Sequence, residues 1–312
     1  MSFSLVHLAD PHFGGVANLA HIEGMEALIP DLEPRAIVVA GDLSQRARHG
    51  EFQAARGFVR ELERTAPVYL LPGNHDVQWW WRPFVPFGSA AKYAKYRTYF
   101  GPALAPTMVF PDAVIAGAVT AHGVAWGSLT SRLRDIAVKG HLPKREAVRV
   151  KALFGAAPPA QARILVVHHN VLRGDLSERM GLARWRTAQR RIVDSGAELV
   201  LCGHDHQEKT ELLEGRVVVS CAGTLSTRSR GERPAVFHRI VIEEDAIHVE
   251  LYRWEADLRA FRRSDVHAFA RAKMAGAGAV VAPAAERTDN AAATAASAAS
   301  AGSAAPPAPT SE

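Results

Sequence analysis

The sequence has little cysteine, no long apolar run and no concentrated block of positive charge. Its two cysteines, Cys202 and Cys221, lack C-x-x-C spacing, which argues against a disulfide framework or a thiolate zinc site and predicts two buried, reduced thiols. No stretch approaches ~18 apolar residues without a charge, so no membrane-spanning helix is predicted. No run of five or more Lys or Arg occurs, so specific nucleic-acid binding is not expected.

The N-terminus also lacks the basic segment of a secretory signal peptide, and its first acidic residue is Asp10. A cytoplasmic protein is therefore expected. The formal net charge of the chain is +5, and residues 275–312 contain one Arg and three acidic residues, which leaves +7 for the remainder. This positive surplus suits an anionic substrate.

Composition divides the chain into two parts. Hydrophobic residues make up 48% and charged residues 22%, values typical of a globular protein. Residues 275–312 consist mostly of Ala, Ser, Thr, Pro and Gly and contain no aromatic residue. Such a segment cannot bury enough apolar surface to become ordered. We therefore expect a catalytic domain over residues 1–274 and a disordered tail over residues 275–312.

Short runs rich in Val, Ile and Leu predict strands buried on both faces. They lie at 3–9, 36–40, 68–71, 164–167 and 199–202. Helical patterns between them lie at 19–29, 51–64, 144–154 and 188–195. Further short strands are predicted at 216–220, 235–242 and 246–254, together with a strand-rich stretch at 107–128. The pattern predicts an α/β protein in which two mixed sheets pack together with helices outside.

Residues 77–104 interrupt this alternation with many aromatic residues and three prolines. Within this insertion, Tyr93, Tyr96 and Phe100 have the spacing of one helix face. Three alternatives follow for the insertion: a cap packed on the main domain, a dimer contact, or a membrane-surface face.

The polar residues that could bind a metal follow the predicted strands. They are Asp10, His12, Asp42, Asn74, His75, Asp76, His168, His169, His204 and His206. Because ligands of open α/β sheets bind beyond the carboxyl ends of the strands, these side chains should converge on one crevice. Imidazole and carboxylate donors without thiolate suit Mn, Fe or Zn. The set is large enough for two metals that share a carboxylate, an arrangement suited to phosphoester hydrolysis.

These residues form motifs that resemble those of the calcineurin-like metallophosphoesterase family. The motifs are Asp10-x-His12, Gly41-Asp42, Gly73-Asn74-His75-Asp76, His168 and Gly203-His204-x-His206. The resemblance spans about residues 4–255 and implies a four-layer sandwich of two sheets and flanking helices. In size and closing strands the chain is most similar to bacterial class III cyclic-nucleotide phosphodiesterases.

The resemblance also implies roles for individual residues. One metal ion would be bound by Asp10, His12, Asp42 and His206. The other would be bound by Asp42, Asn74, His168 and His204, so that Asp42 bridges the two ions. His75 would be the catalytic residue, as proton donor or transition-state stabiliser, and His169 is not assigned as a ligand.

The implied function is hydrolysis of a phosphodiester, with cyclic nucleotides as the leading class, by attack of metal-bound hydroxide. The enzymatic alternative is a nucleotide-sugar lipid pyrophosphatase of the UDP-diacylglucosamine type, which would make peripheral membrane contact through the aromatic insertion. A non-enzymatic scaffold is the alternative outside enzymes. Arg46 and His49 are candidates for substrate phosphate or for a solvated loop, and Arg228, Arg230 and Arg233 are expected in an exposed loop.

Overall fold

A computed structural model describes residues 2–78, 90–123 and 138–273. Within these ranges the chain forms twelve strands in two six-stranded sheets, together with five α-helices. Part of the predicted aromatic insertion (79–89), the end of the mid-chain strand-rich stretch (124–128) and the predicted tail (275–312) lie outside the described residues.

The first sheet combines three parallel strands with an antiparallel extension. In spatial order its strands are β12 (Ala260–Ala270), β11 (Ala246–Glu255), β10 (Val236–Ile242), β1 (Phe3–Leu8), β2 (Ala36–Val39) and β3 (Val68–Leu70). β1, β2 and β3 are parallel, whereas β10 pairs antiparallel with β1 and continues antiparallel into β11 and β12. The carboxyl ends of β1, β2 and β3 therefore lie at one edge of this sheet.

The second sheet has a parallel centre and antiparallel edges. In spatial order its strands are β4 (Thr107–Val109), β5 (Ala113–Gly117), β6 (Ala162–Val166), β7 (Leu199–Cys202), β9 (Val217–Cys221) and β8 (Lys209–Leu213). The four inner strands are parallel, and the edge strands β4 and β8 pair antiparallel with their neighbours. β6 and β7 thus end side by side.

The helices follow the predicted apolar patterns. They are α1 (Leu19–Leu28), α2 (His49–Leu62), α3 (Ala94–Phe100), α4 (Lys144–Ala156) and α5 (Trp185–Asp194). Short 3-10 helices occur at Ile29–Leu32, Ala90–Tyr93 and Arg230–Glu232. Asn18 caps α1, because its side-chain oxygen accepts hydrogen bonds from the backbone N–H groups of Ala20 and His21.

Three apolar clusters define four layers. The central cluster joins inner faces of the two sheets, for example Leu5 and Val38 with Ile164 and Leu201. A second cluster packs α1, α2 and α3 on the outer face of the first sheet, and a third packs α4 and α5 on the second sheet. Alternate residues of each central strand thus face different apolar layers, which explains the continuous apolar runs. The predicted architecture of two mixed sheets flanked by helices is confirmed.

One polar cluster interrupts the central layer. The Ser220 hydroxyl lies 3.0 Å from His7 Nδ1 and 2.7 Å from His238 Nδ1. All three residues are fully buried, and both histidine Nε2 atoms lack a hydrogen-bond partner. Burial lowers the pKa of both imidazoles, to about 3 for His238. The two sheets are therefore joined by neutral histidines inside the apolar core.

The described part of the aromatic insertion packs inward. Tyr96 is buried against Phe52 and Phe100, and Tyr93 donates a hydrogen bond to the carbonyl of Ala121. These contacts favour the predicted cap on the main domain for residues 90–100. None of the helices in the described ranges is long and apolar enough to cross a membrane.

Candidate metal centre

The loops that follow β1, β2, β3, β6 and β7 converge at the carboxyl ends of these strands. They bring together seven predicted ligands: Asp10, His12, Asp42, Asn74, His168, His204 and His206. None of the seven is strongly exposed, and Asp10, His12 and His168 are completely buried. The convergence expected from the strand order is therefore present in the structure.

The first cluster consists of Asp10, His12, Asp42 and His206. One ligand atom from each of the four lies within 4.8 Å of the others. His12 Nε2 is 2.9 Å from His206 Nε2 and 3.7 Å from Asp42 Oδ2. Asp10 Oδ1 lies 4.0 Å from His12 Nε2 and 3.9 Å from His206 Nε2. Four donor atoms thus surround one point, as a transition-metal site requires.

The second cluster consists of Asp42, Asn74, His168 and His204. Asn74 Oδ1 lies 3.0 Å from His168 Nε2 and 2.9 Å from His204 Nδ1. His168 Nε2 is also 3.4 Å from Asp42 Oδ2. The same Asp42 oxygen therefore approaches both clusters.

Two carbonyl groups fix the position of the proton on two of the site histidines. His168 Nδ1 lies 2.8 Å from the carbonyl of Ala40, and His206 Nδ1 lies 3.0 Å from that of Arg228. Because a carbonyl only accepts, each Nδ1 must carry the proton, and Nε2 of the neutral ring then holds a free lone pair. This orientation is the one that histidine ligands of metals commonly adopt.

The clusters carry two signs that a cation fits. A proton on His168 Nε2, or a cation in its place, must lie between this nitrogen and Asn74 Oδ1, because two acceptors would otherwise face each other at 3.0 Å. Asp10 Oδ1 is buried without a hydrogen-bond partner. Burial and the neighbouring Asp42 raise the pKa of Asp10 well above its usual value. A bound cation would relieve both unfavourable arrangements.

Asp42 is ionised and three of the site histidines are neutral, which are the forms that bind metal ions. Burial opposes ionisation of Asp42, but the nearby imidazoles of His168 and His75 outweigh it and hold its pKa well below the usual range. Burial lowers the pKa of His12, His204 and His206, the last to about 4. These histidines are therefore neutral at pH 7, as metal binding requires.

Burial also lowers the pKa of His168, but the carboxylate of Asp42 raises it by more. The pKa of His168 is raised to about 9. In the absence of a cation, a proton on His168 thus compensates the negative charge of Asp42. A metal ion would take over that role and release the proton.

Five of the candidate ligands have a left-handed backbone. They are Asp10, His12, Asp42, His204 and His206, with φ values of 54°, 48°, 50°, 73° and 56°. Non-glycine residues rarely adopt this conformation, and it concentrates at functional sites. The loops therefore turn sharply after each strand and direct the ligands into the crevice.

Glycines and a carboxylate hold these turns in place. A side chain at Gly73 would collide with Asp42, and one at Gly203 would collide with Asp10, so each loop needs glycine there. The Asp76 carboxylate accepts hydrogen bonds from the backbone N–H groups of Leu43, Ser44 and Gly73. Asp76 thereby fastens the Gly41-Asp42 loop to the Gly73-Asn74-His75-Asp76 loop, and it is not one of the proposed ligands.

His169 lies beside the second cluster, and one of its ring nitrogens lies within 4.8 Å of a ring nitrogen of His168 and of His204. Both nitrogens have protein partners, however. Nδ1 lies 2.8 Å from the hydroxyl of Thr120, and Nε2 lies 3.0 Å from the carbonyl of Val138. These contacts favour a structural role for His169, in line with its omission from the predicted ligands.

A cleft of about 560 Å³ opens above the clusters. Its lining includes Asp42, Asn74, His75, His204, His206 and Arg228. His75 is half-buried, and its Nδ1–H donates to the carbonyl of Gln45 at 2.7 Å. Its backbone N–H donates to Asp42 Oδ1 at 2.8 Å. The His75 ring is thus fixed at the cleft and lies 4.8 Å, centroid to centroid, from the ring of His12.

The arginines at the cleft differ from those expected. Arg46 and His49 are exposed and are absent from the described residues that line the cleft, and His49 Nδ1 lies 3.0 Å from the Tyr99 hydroxyl. Arg228 and Arg230, expected in an exposed loop, line the cleft instead. Arg228 is indeed exposed, but its loop folds back over His206. The spacing of residues in the sequence does not predict that this loop lies over His206.

Comparison with protein-family models found a match that covers most of the chain. The family model described as calcineurin-like phosphoesterase matches residues 3–208, which include all seven candidate ligands. No curated protein matches the sequence.

Solved structures share the fold at low sequence identity. A dimetal phosphatase from Danio rerio is 11% identical, with a TM-score of 0.62 over 86% of this chain and 99% of that one. PhoD is 9% identical, with a TM-score of 0.60 over 86% of this chain and 70% of that one. GAP50 of Plasmodium, an anchor in the inner membrane complex, is 12% identical, with a TM-score of 0.54 over 87% and 90%.

Proposed function

The chain belongs to the calcineurin-like phosphoesterase family, and we propose that it is a phosphodiesterase that binds one metal ion at each of the two clusters. The observation that carries this proposal is the position of one Asp42 oxygen, Oδ2. It lies 3.7 Å from His12 Nε2 in the first cluster and 3.4 Å from His168 Nε2 in the second. A single carboxylate between two sets of ligands suits a dinuclear site.

In this proposal Asp10, His12 and His206 hold one ion, and Asp42 is shared. The other ion is held by Asn74, His168 and His204. When bound, the ions supply positive charge to the phosphoryl oxygens and activate a water. The protein keeps His204 and His206 neutral by burial and orients His168 and His206 through their Nδ1–H bonds.

His75 is proposed as the proton donor to the leaving oxygen. Its Nδ1–H is committed to the Gln45 carbonyl, so a proton delivered into the cleft must come from Nε2. The donating form therefore carries protons on both ring nitrogens. Arg228 and Arg230 supply positive charge at the cleft and would counter the charge that develops on the phosphoryl group.

Cyclic nucleotides are the proposed small substrates. The similarity to class III phosphodiesterases favours them, and a cleft of about 560 Å³ is large enough for a mononucleotide. The positive surplus of the chain also favours an anionic substrate.

The experiment combines elemental analysis with hydrolysis. Protein loaded separately with Mn, Fe or Zn is assayed on bis(p-nitrophenyl) phosphate, a cyclic nucleotide and a nucleotide-sugar lipid pyrophosphate. We expect two ions per chain and turnover of the two phosphodiesters. Preferential turnover of the lipid pyrophosphate would assign the alternative substrate class. A preparation that binds no metal and hydrolyses none of the three would instead favour a scaffold.

A further inference from the structure

A second cavity of about 600 Å³ lies on the described surface, and four of its eight lining residues are basic. Its lining includes Lys139, Arg173, Arg179, Arg186, Trp185 and Glu178. We call it the basic cavity. None of these residues belongs to either ligand cluster.

The basic cavity adjoins the metal cleft. Val138 and Leu176 line the cleft, whereas Lys139 and Glu178, from the same two loops, line the basic cavity. The loops are also bonded to each other, because the backbone N–H of Gly140 donates to the carbonyl of Gly181 at 2.9 Å. A substrate anchored at the metals could therefore extend across this shared wall.

Charge in the basic cavity is unbalanced. Its lining contains three arginines and one acidic side chain, Glu178, which is paired with Arg173 at 3.3 Å. Among the residues that the structure describes, neither Arg179 nor Arg186 has an acidic partner. Clustered guanidinium groups repel one another and bind phosphoryl oxygens through charge-assisted hydrogen bonds.

An aromatic surface accompanies the charge. Trp185 is half-buried, and the Arg186 guanidinium carbon lies 4.3 Å from the centre of its ring. Indole and guanidinium planes are the groups on which proteins stack nucleobases. The basic cavity thus combines the two chemistries that recognise a phosphorylated nucleoside.

We propose that the basic cavity binds a second phosphoryl group of the substrate, carried on a nucleoside next to the phosphodiester that is cleaved. This inference rests on the proposed function, because it assumes that the scissile phosphodiester lies at the metal cleft. It extends the substrate class beyond cyclic mononucleotides to nucleotides that carry an additional phosphate.

The test uses two linear dinucleotides that differ only in a 5′-terminal phosphate. For the metal-loaded protein we expect kcat/KM to be about tenfold higher for the phosphorylated form. In a variant that combines R179Q and R186Q, the ratio should fall to about one, while turnover of bis(p-nitrophenyl) phosphate is unchanged. The control variant combines R190Q and R216Q, which removes the same charge from exposed positions outside both cavities. It should keep the ratio of the unmodified protein.

Calorimetry with the same two dinucleotides tests binding without catalysis. The phosphorylated form should bind more tightly by a similar factor, and the R179Q/R186Q variant should lose this preference. Inorganic phosphate added with the unphosphorylated dinucleotide should leave its rate unchanged. Stimulation by inorganic phosphate would indicate an independent anion site and would overturn the assignment.

The remaining outcomes separate the two proposals. Turnover of bis(p-nitrophenyl) phosphate with equal rates and equal binding for both dinucleotides would overturn the role of the basic cavity and leave the proposed function intact. If the protein with two bound metals hydrolyses no phosphodiester, the proposed function fails. Calorimetry then still tests the role of the basic cavity. Equal binding of the two dinucleotides would overturn that role, and tighter binding of the phosphorylated form would support it.

Discussion

Asp10 Oδ2 accepts a hydrogen bond of 2.8 Å from the backbone N–H of His204. The bond joins the loop after β1 in one sheet to the loop after β7 in the other. It also fixes the carboxylate so that Oδ1, which lacks a protein partner, faces the first cluster. The ligand is therefore oriented by the protein itself, as a preorganised metal site requires.

Replacing Asp42 should affect both metal ions. We expect Asp42→Ala to lose both ions and nearly all turnover, because Oδ2 approaches both clusters. Asn74→Ala, which changes one cluster, should lose mainly one ion. Elemental analysis of the two purified variants makes the comparison. Two ions per chain retained in the Asp42 variant would contradict the shared site.

The adjacent histidines should separate metal binding from stability. His169→Ala removes a buried ring bonded to Thr120 and Val138, so we expect a loss of about 2–4 kcal/mol in the free energy of unfolding. Its metal content should stay near that of the unmodified protein. His168→Ala should lose metal instead. Denaturant unfolding and elemental analysis measure the two effects, and dependence of metal on His169 would mean that the ligand assignment is one residue out.

The importance of His75 should depend on the leaving group. As a general acid it should contribute about 10²–10⁴-fold for a poor leaving group such as a ribose hydroxyl, and less for a nitrophenolate. His75→Ala should keep both metals, because His75 is not among the proposed ligands. Turnover of a cyclic nucleotide and of a nitrophenyl phosphodiester, measured on one preparation, tests this. Equal losses on both substrates would indicate charge stabilisation rather than proton donation.

Asp205 should position the cleft walls without binding metal. It lies between His204 and His206, and its buried carboxylate accepts hydrogen bonds from Ser177 Oγ at 2.7 Å and Arg230 Nε at 3.2 Å. Asp205→Asn weakens the bond to Arg230, so we expect KM to rise about five- to tenfold with a smaller change in kcat. Ser177→Ala should act in the same direction but less strongly. Loss of metal in the Asn variant would show that Asp205 acts through the histidines.

Stability should fall in acid because of the buried histidines between the sheets. Burial lowers the pKa of His238 from 6.5 to about 3, so below pH 6.5 the unfolded chain takes up a proton that the folded chain does not. Above pH 6.5 His238 is neutral in both the folded and the unfolded chain, and stability is highest. As the pH falls from 6.5 toward 3, the free energy of unfolding decreases by up to about 1.4 kcal/mol per pH unit.

His238→Asn should therefore reduce the slope of unfolding free energy against pH between pH 6 and 4. The Asn side chain can still hydrogen-bond to Ser220. Denaturant unfolding of metal-free protein measures the slope, with His248→Asn on β11 as the matched loss of one histidine. An unchanged slope in the His238 variant would contradict a neutral, buried imidazole.

The central strands could be predicted because burial on both faces leaves an apolar run. Leu5 and Val6 face different apolar clusters, and both are fully buried. β12 (Ala260–Ala270) was not predicted, since most of its side chains are exposed and its middle, Arg262 to Asp265, is polar. The edge strand β8 (Lys209–Leu213) was missed because its first three residues, Lys209, Thr210 and Glu211, are polar. Strand pairing at a sheet edge depends on the neighbouring strand rather than on the apolar pattern.

The candidate ligands could be predicted because each follows a buried strand. Arg228 and Arg230 could not, because their place at the cleft depends on how the loop after β9 folds over His206 and Asp205. Proximity in sequence to the predicted bridging residue suggested Arg46 and His49 as phosphate contacts. The start of α2 carries His49 toward Tyr99 instead.

The left-handed residues of the metal centre have an evolutionary consequence. Asp42 has a φ of 50° and no freedom to relax, because its loop is bonded to Asp76 and crowded by Gly73. Such a conformation costs an aspartate about 1–3 kcal/mol, and glycine avoids most of that cost. Asp42→Gly would relieve this cost, but it would also remove the carboxylate that accepts a hydrogen bond from the backbone N–H of His75 and pairs with the buried His168. Stability as well as activity therefore opposes the loss of Asp42, although its backbone is strained.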